Sequence, residues 1–323
     1  MVDAAILGLG WWGQALVSAV QGKSERIRFV KAVVPDVGKR AEAADRLGVA
    51  LTSSYREVLR DPAIQAVVVA TPHSLHVEQV VAAARSGKAV FCEKPLALTR
   101  DGAQQCVDAC ASAGVVLAVG HNRRFMPAIA YLQDALRRGL LGQVLHLEAN
   151  SSNENARTAW TAWRAEAAES PAPGMTGTGI HLLDLTVSLL GRPDRVFAKI
   201  SSGDAGKVPH EDACNVFFTF ASGVSATLTM VQTTPRFWRM HLFGSEGSLE
   251  MLNDEEMILY RVGQAPVRRR LAQVDALRLE LEAFAQAIRF ERPYPISPEQ
   301  MVWTASGMEA VCRSLASGAE EQL

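Results

Sequence analysis

Charge of one sign, cysteine in pairs and long apolar runs are all scarce in this sequence. Its 33 basic and 34 acidic residues leave a net charge of -1, and no long run of one sign appears. That balance argues against a nucleic-acid partner, and Lys207 and the triplet Arg268 to Arg270 read as solvated surface. The five cysteines, Cys92, Cys106, Cys110, Cys214 and Cys312, form an odd set without a C-x-x-C spacing. They read as reduced thiols of a cytoplasmic protein rather than a disulfide framework. Cys106 and Cys110 stand one helical turn apart, but no neighbouring His or Cys pair completes a metal set, so no metal is expected. No apolar stretch is long enough to span a bilayer, which excludes a membrane partner of that kind. The first residues enter a strand-type run without a basic leader and apolar signal core, so no secretory signal is expected. Internal repeats and low-complexity segments are absent.

The chain has 323 residues, more than one hydrophobic core usually supports, so two domains are expected, over residues 1–122 and 123–323. In the first part, β-rich runs alternate with Ala-rich amphipathic stretches. The runs are 4–7, 29–34, 66–70, 89–92 and 115–119. This alternation predicts an α/β fold with parallel crossovers and helices on both faces of one sheet. Continuous apolar runs such as AVVVA fit strands buried on both sides. After residue 143, runs at 144–151, 195–201, 214–220, 225–231, 240–243 and 247–252 follow one another with little helix between them. They predict a second, largely antiparallel sheet. Residues 277–290 and 298–317 are helical in period, with Ser297 as a cap and Pro298 in the first helical position.

The segment AAILGLGWWGQALVSAV, residues 4–20, places Gly8, Gly10 and Gly13 between a strand-type run and a helix-type run. This is the context of a dinucleotide-binding loop. Gly8 would make the tight turn, Gly10 would let backbone approach a pyrophosphate, and Gly13 would let helix lie close to strand; the phosphates would rest on the helix's free N–H groups. An acid about 20 residues further on would accept bonds from the adenosine ribose, and Asp36 follows Gly13 by 23 residues. Lys39 and Arg40 could instead pair with a 2'-phosphate, and NAD is favoured over NADP. Trp11 and Trp12 lie between the second and third glycines, where they would face the pyrophosphate or wall the substrate pocket and keep water out. The alternative for Trp12 is packing between domains.

Three further segments carry candidate chemistry. Thr71 and Pro72 turn the chain at the end of a strand, where open α/β sheets bind ligands, and their backbone would touch the cofactor. His76 follows, either in a capping or packing role or at the site itself. Glu93, Lys94 and Pro95 end the next strand; Lys94 is either a partly desolvated proton donor to a substrate oxygen or half of a surface Glu-Lys pair. Arg123 and Arg124 leave the last of these strands, one to hold a phosphate or substrate carboxylate and the other to make a surface pair. Arg123 is taken as the substrate-binding one.

The ordered set of glycine loop, TP with a later His, EKP, GHNRRF at 120–125, WR at 163–164, GTGIHLLDL at 177–185 and FGSEGSLE near 243 resembles the glucose-fructose oxidoreductase / inositol dehydrogenase / MocA (Gfo/Idh/MocA) family over nearly the whole chain. The resemblance implies an N-terminal Rossmann domain and a C-terminal α/β domain whose open sheet serves oligomerisation, as a homodimer or homotetramer. It implies hydride transfer between NAD or NADP and a hydroxyl or carbonyl carbon of a sugar, cyclitol or related ring. Lys94 would lie beside the substrate oxygen, its bond to Pro95 cis, and Glu93, Lys94 and Arg164 would meet the cofactor. His181 would exchange the hydroxyl proton and contact substrate. The family's Asp four residues before that histidine is replaced here by Gly177, which leaves Asp184 to orient His181 or, alternatively, to cap its helix. Substrate specificity would lie in residues 153–173. Two rival readings remain: a nucleotide-sensing protein without turnover, and a dihydrodiol dehydrogenase.

Overall fold

The computed structural model describes residues 1–154, 163, 166–172, 174–201 and 213–323. The chain divides into two compact units, Met1–Asn122 with Asp275–Val302, and Arg123–Val274 with Trp303–Leu323. Residues 275–302 thus fold with the first unit and not with the strands that precede them in sequence.

The first unit is built on a six-stranded sheet in the order β3-β2-β1-β4-β5-β6. Its strands are β1 (Val2–Leu7), β2 (Ile27–Val33), β3 (Ala50–Thr52), β4 (Ala66–Val69), β5 (Ala89–Glu93) and β6 (Leu117–Gly120). Every pairing is parallel. The strand order reverses at β1/β4, the switch point at which doubly wound sheets bind ligands. The crossover helices are α1 (Trp11–Val20), α2 (Ala41–Leu47), α3 (Tyr55–Arg60), α4 (His76–Arg85) and α5 (Arg100–Ala113). All four residues of β4 are buried, as its unbroken apolar run predicts. Strand β3 escapes prediction because three residues, one of them exposed, carry too little pattern.

The second unit holds a nine-stranded sheet in the order β14-β13-β12-β11-β7-β10-β9-β8-β15. These strands are β7 (Val144–Ser152), β8 (Pro193–Ser201), β9 (Ala213–Phe220), β10 (Ser225–Val231), β11 (Phe237–Gly244), β12 (Gly247–Met251), β13 (Glu256–Arg261), β14 (Val267–Arg270) and β15 (Glu321–Gln322). All neighbours are antiparallel except β7 and β10, which run parallel. In β9, β10 and β12 alternate residues enter the core while their neighbours stay half-buried or exposed, the period of a one-sided sheet. Helices α6 (Pro127–Arg137) and α7 (Ile180–Leu190) contribute Ile129, Leu132, Leu182, Leu183 and Leu185 to that core. Arg268, Arg269 and Arg270 are exposed on β14, where charge on an edge strand discourages pairing with another chain. Helices α8 (Ala276–Ile288) and α9 (Pro298–Ser317) complete the described elements, and α8 adds Leu281, Phe284 and Ala285 to the core of the first unit. None of the described helices is long and apolar enough to cross a membrane.

Candidate active site

The loop after β1 is shaped by glycine at two positions. Gly8 has φ +91, and a Cβ there would meet the Ala70 carbonyl oxygen at 2.5 Å. A Cβ on Gly13 would lie 2.1 Å from the Gly8 carbonyl oxygen, so any larger residue would push α1 off the strand exit. Gly10 is the opposite case: it is the N-cap of α1, and a Cβ there would meet nothing within 4 Å. Helix α1 has no side-chain cap and no acid in its first turn, so its leading N–H groups and dipole face this open space. A backbone cradle of this kind fits the pyrophosphate of a dinucleotide.

The two tryptophans divide. Trp11 is 59% exposed, while Trp12 packs against the core of the first unit and its Nε1 is buried. Their rings meet edge to face at 5.1 Å. Asp36 sits beyond the end of β2, its Oδ1 accepting the Lys39 N–H at 3.1 Å and its Oδ2 lying 3.3 Å from Lys39 Nζ. Lys39 therefore has a carboxylate beside it already.

The turn after β4 and the end of β5 are tied together by one imidazole. His76 is fully buried; its Nδ1 lies 2.8 Å from the Pro95 carbonyl oxygen and its Nε2 3.1 Å from that of Thr71. Its ring nitrogens both face backbone carbonyls, a packing role among the alternatives the sequence left open. Thr71 Oγ1 donates to Gln79 Oε1 at 2.6 Å, which holds the Thr71-Pro72 turn onto α4. The Lys94-Pro95 bond is cis. Glu93 is buried as the last residue of β5, and its Oε2 accepts the Lys94 N–H at 3.2 Å. Gly120, opposite Glu93 in the register of β5 and β6, makes room for that carboxylate: a Cβ there would lie 2.7 Å from Glu93 Oε1.

In the second unit Arg124 does not make the surface pair expected of one of the two arginines. Arg123 stacks over the Trp238 ring at 4.8 Å, its Nη1 3.4 Å from Asp254 Oδ1, and burial draws its pKa down to about 10. Arg124 donates through Nε and Nη2 to the two oxygens of Asp184, at 2.6 and 2.9 Å. Its side chain is 3% exposed and that of Asp184 1%, because both sit where the turn at 122–125 meets α7. Asp184 does not cap its helix either: Gly179 is the N-cap, and Asp184 lies within α7. His181, half-buried, is the second residue of the same helix, which follows a π-helical turn over Met175–Gly179. Gly177 is exposed within that turn, and a Cβ there would meet nothing within 4 Å. Arg164 and most of the 153–173 segment lie outside the described residues.

One buried acid escaped the sequence reading. Glu280 of α8 is fully enclosed in the first unit, and the sign of it was available: a charge at an apolar position of a helical repeat. Burial also dominates the thiols of α5, pushing Cys106 and Cys110 up to about 12, which keeps them protonated and unreactive.

A doubly wound sheet of this order, with a glycine cradle at its switch point and a lysine at a strand end, defines a dinucleotide-dependent oxidoreductase fold. Residues 2–121 match the oxidoreductase family with an NAD-binding Rossmann fold, and residues 129–250 match the GFO/IDH/MocA C-terminal domain. The chain belongs to the Gfo/Idh/MocA family of oxidoreductases and is an NAD(P)-dependent enzyme. It is similar to the 1,5-anhydro-D-fructose reductase of Ensifer adhaerens, 28% identical over 335 residues that cover 98% of this chain and 96% of the relative. It is also similar to the scyllo-inositol 2-dehydrogenase (NAD(+)) of Bacillus subtilis, 29% identical over 272 residues, 77% of this chain and 73% of the relative. Levoglucosan dehydrogenase in complex with NADH and levoglucosan shares the fold, with a TM-score of 0.89 over 99% of each chain at 21% identity.

Proposed function

We propose that the protein oxidises or reduces one carbon of a sugar, cyclitol or related ring compound, with Lys94 and His181 as its acid-base groups. The observation that carries this is the seating of Lys94 at the carboxyl end of β5. Its amide rests on the Glu93 carboxylate, and the Gly8 loop leaves the same end of the sheet. Bound nicotinamide supplies the acceptor or donor of hydride. Gly8, Gly10 and Gly13 would hold its pyrophosphate, Asp36 the adenosine ribose, and the Thr71-Pro72 turn and Glu93 the remainder. Lys94 donates a hydrogen bond to the substrate oxygen and stabilises charge on it, and His181 takes or returns the hydroxyl proton. Arg123, at the start of the second unit, would hold a polar group of the substrate. NAD is the favoured cofactor, since Asp36 would repel a 2'-phosphate and already engages Lys39.

The relatives that act on ring compounds support this substrate class. Five free cysteines accord with a cytoplasmic location. Phe197 and Phe217, each 40% exposed and opposite one another on β8 and β9, support a homo-oligomer formed through the open face of the second sheet.

The test is a panel of polyols, sugars and dihydrodiols, each with NAD and NADP, read at the reduced-nicotinamide absorbance. Turnover on a polyol or sugar is expected. Replacing Lys94 by Met or His181 by Ala should lower kcat by about a hundredfold or more while leaving NADH binding in place. His181→Ala turnover within a few-fold of wild type would remove that residue from the reaction. Binding of NADH without turnover on any compound would turn the reading toward a nucleotide sensor.

A further inference from the structure

Helix α8 carries a carboxylic acid within its apolar seam. Leu277, Leu281, Phe284 and Ile288 repeat at helical spacing and pack on the core of the first unit, and Glu280 stands one turn before Phe284 on the same face. Glu280 is fully buried, and neither of its carboxyl oxygens has a hydrogen-bond partner among the described residues. An isolated carboxylate so enclosed is too costly to persist, so the group takes up a proton.

One aromatic contact ties the face of α8 that carries Glu280 to the face of β5 that carries Glu93. Phe284 packs on Phe91 with ring centroids 5.8 Å apart. Two residues beyond Phe91, on the same face of the strand, is Glu93; one turn back from Phe284 is Glu280. The proximity is felt electrostatically: burial first, and then the Glu93 charge, hold the Glu280 acid well above the usual carboxylate range. Helix α1 contributes no titratable group. The charges of β2 are taken up elsewhere, Arg28 by Asp3 and Lys31 by Glu57 and Asp61. From α8 itself Asp275 accepts the Arg278 N–H as the helix cap and adds a further negative charge.

We propose that Glu280 is the protonated partner of Glu93: the two carboxyls hold one proton between them, and Glu280 thereby positions the carboxylate on which the Lys94 amide rests. Glu280 is a positioning residue, acting on Lys94 through Glu93. Its consequence for turnover rests on the oxidoreductase reading above; the shared proton itself does not.

Infrared spectroscopy of the full chain labelled with carboxyl-carbon-13 glutamate tests the proton directly. A protonated-carboxyl stretch is expected at neutral pH, lost in Glu280→Gln and displaced in Glu93→Gln, because its hydrogen bond would then run to an amide. Absence of the band, or a band unmoved by Glu93→Gln in a protein with native circular dichroism, overturns the proposal. If Glu93→Gln does not fold, the kinetic arm decides. Glu280→Met should lower kcat about tenfold with NADH affinity retained, and Glu280→Gln, whose amide can donate to Glu93, should restore most of the loss. Equal kcat for Glu280→Met and wild type overturns the positioning role. A wild-type protein that shows the band and binds NADH but turns over no ring compound breaks the oxidoreductase reading and leaves the acid pair standing.

Discussion

Arg124 and Asp184 form a two-point ion pair, at 2.6 and 2.9 Å, with both side chains almost wholly removed from water. The pair joins the turn after β6 to the body of α7, the helix whose first turn carries His181. Removing one partner leaves the other charge buried. Asp184→Ala should therefore lower the unfolding free energy by about 3–5 kcal/mol, measured by urea denaturation. Replacing both residues by Met and Leu should recover much of that loss. If Asp184→Ala unfolds at the wild-type urea midpoint, the pair contributes no net stability.

Gly177 offers a gain-of-function test. A side chain there enters open space, in a turn without positive φ. Gly177→Asp should fold with an unchanged Tm and place a carboxylate four residues before His181. A nearby negative charge favours the imidazolium, so the imidazole-dependent limb of the kcat/KM profile should move to higher pH. An unmoved profile would mean that the new acid does not reach His181.

Asp36 should set the cofactor. Asp36→Ser removes the proposed ribose acceptor and frees Lys39 from its 3.3 Å partner. The kcat/KM ratio for NAD over NADP should fall about tenfold or more, each measured at the same substrate concentration. An unchanged ratio would place ribose recognition on other residues.

Glu280 makes a signed prediction about stability and pH. Its folded-state pKa is raised well above the ordinary 4.5, chiefly by burial. The unfolded chain releases this proton at lower pH than the folded one, so the contribution is fully present below about 4.5 and is lost as pH rises through the folded value. Relative to Glu280→Gln, wild-type Tm should decline with rising pH across that window. Parallel Tm curves for the two proteins would show that Glu280 is not protonated in the fold.

The alternation of β1 to β6 with their helices was legible because it rests on periodicities of two and about 3.6 and on buried parallel strands with no polar face. Gly8 and Gly13 were legible for a local reason as well: backbone that must turn sharply or pass close to a neighbour accepts only glycine. Strands β13 and β14 were not, since the arginine run at 268–270 forms the sheet edge and Glu256–Arg261 lies next to it, where half-exposed and exposed residues carry a weaker pattern.

By itself the sequence determined the parallel sheet, the glycine cradle and the order of the motifs, because each depends on residues adjacent along the chain. Tertiary structure alone decided that α8 returns to the first unit, that Glu280 is enclosed there, that the ring nitrogens of His76 face two backbone carbonyls, and that Arg124 belongs to Asp184 rather than to solvent. A charge's partner and its burial are properties of segments remote in sequence, and no local pattern of residues specifies them.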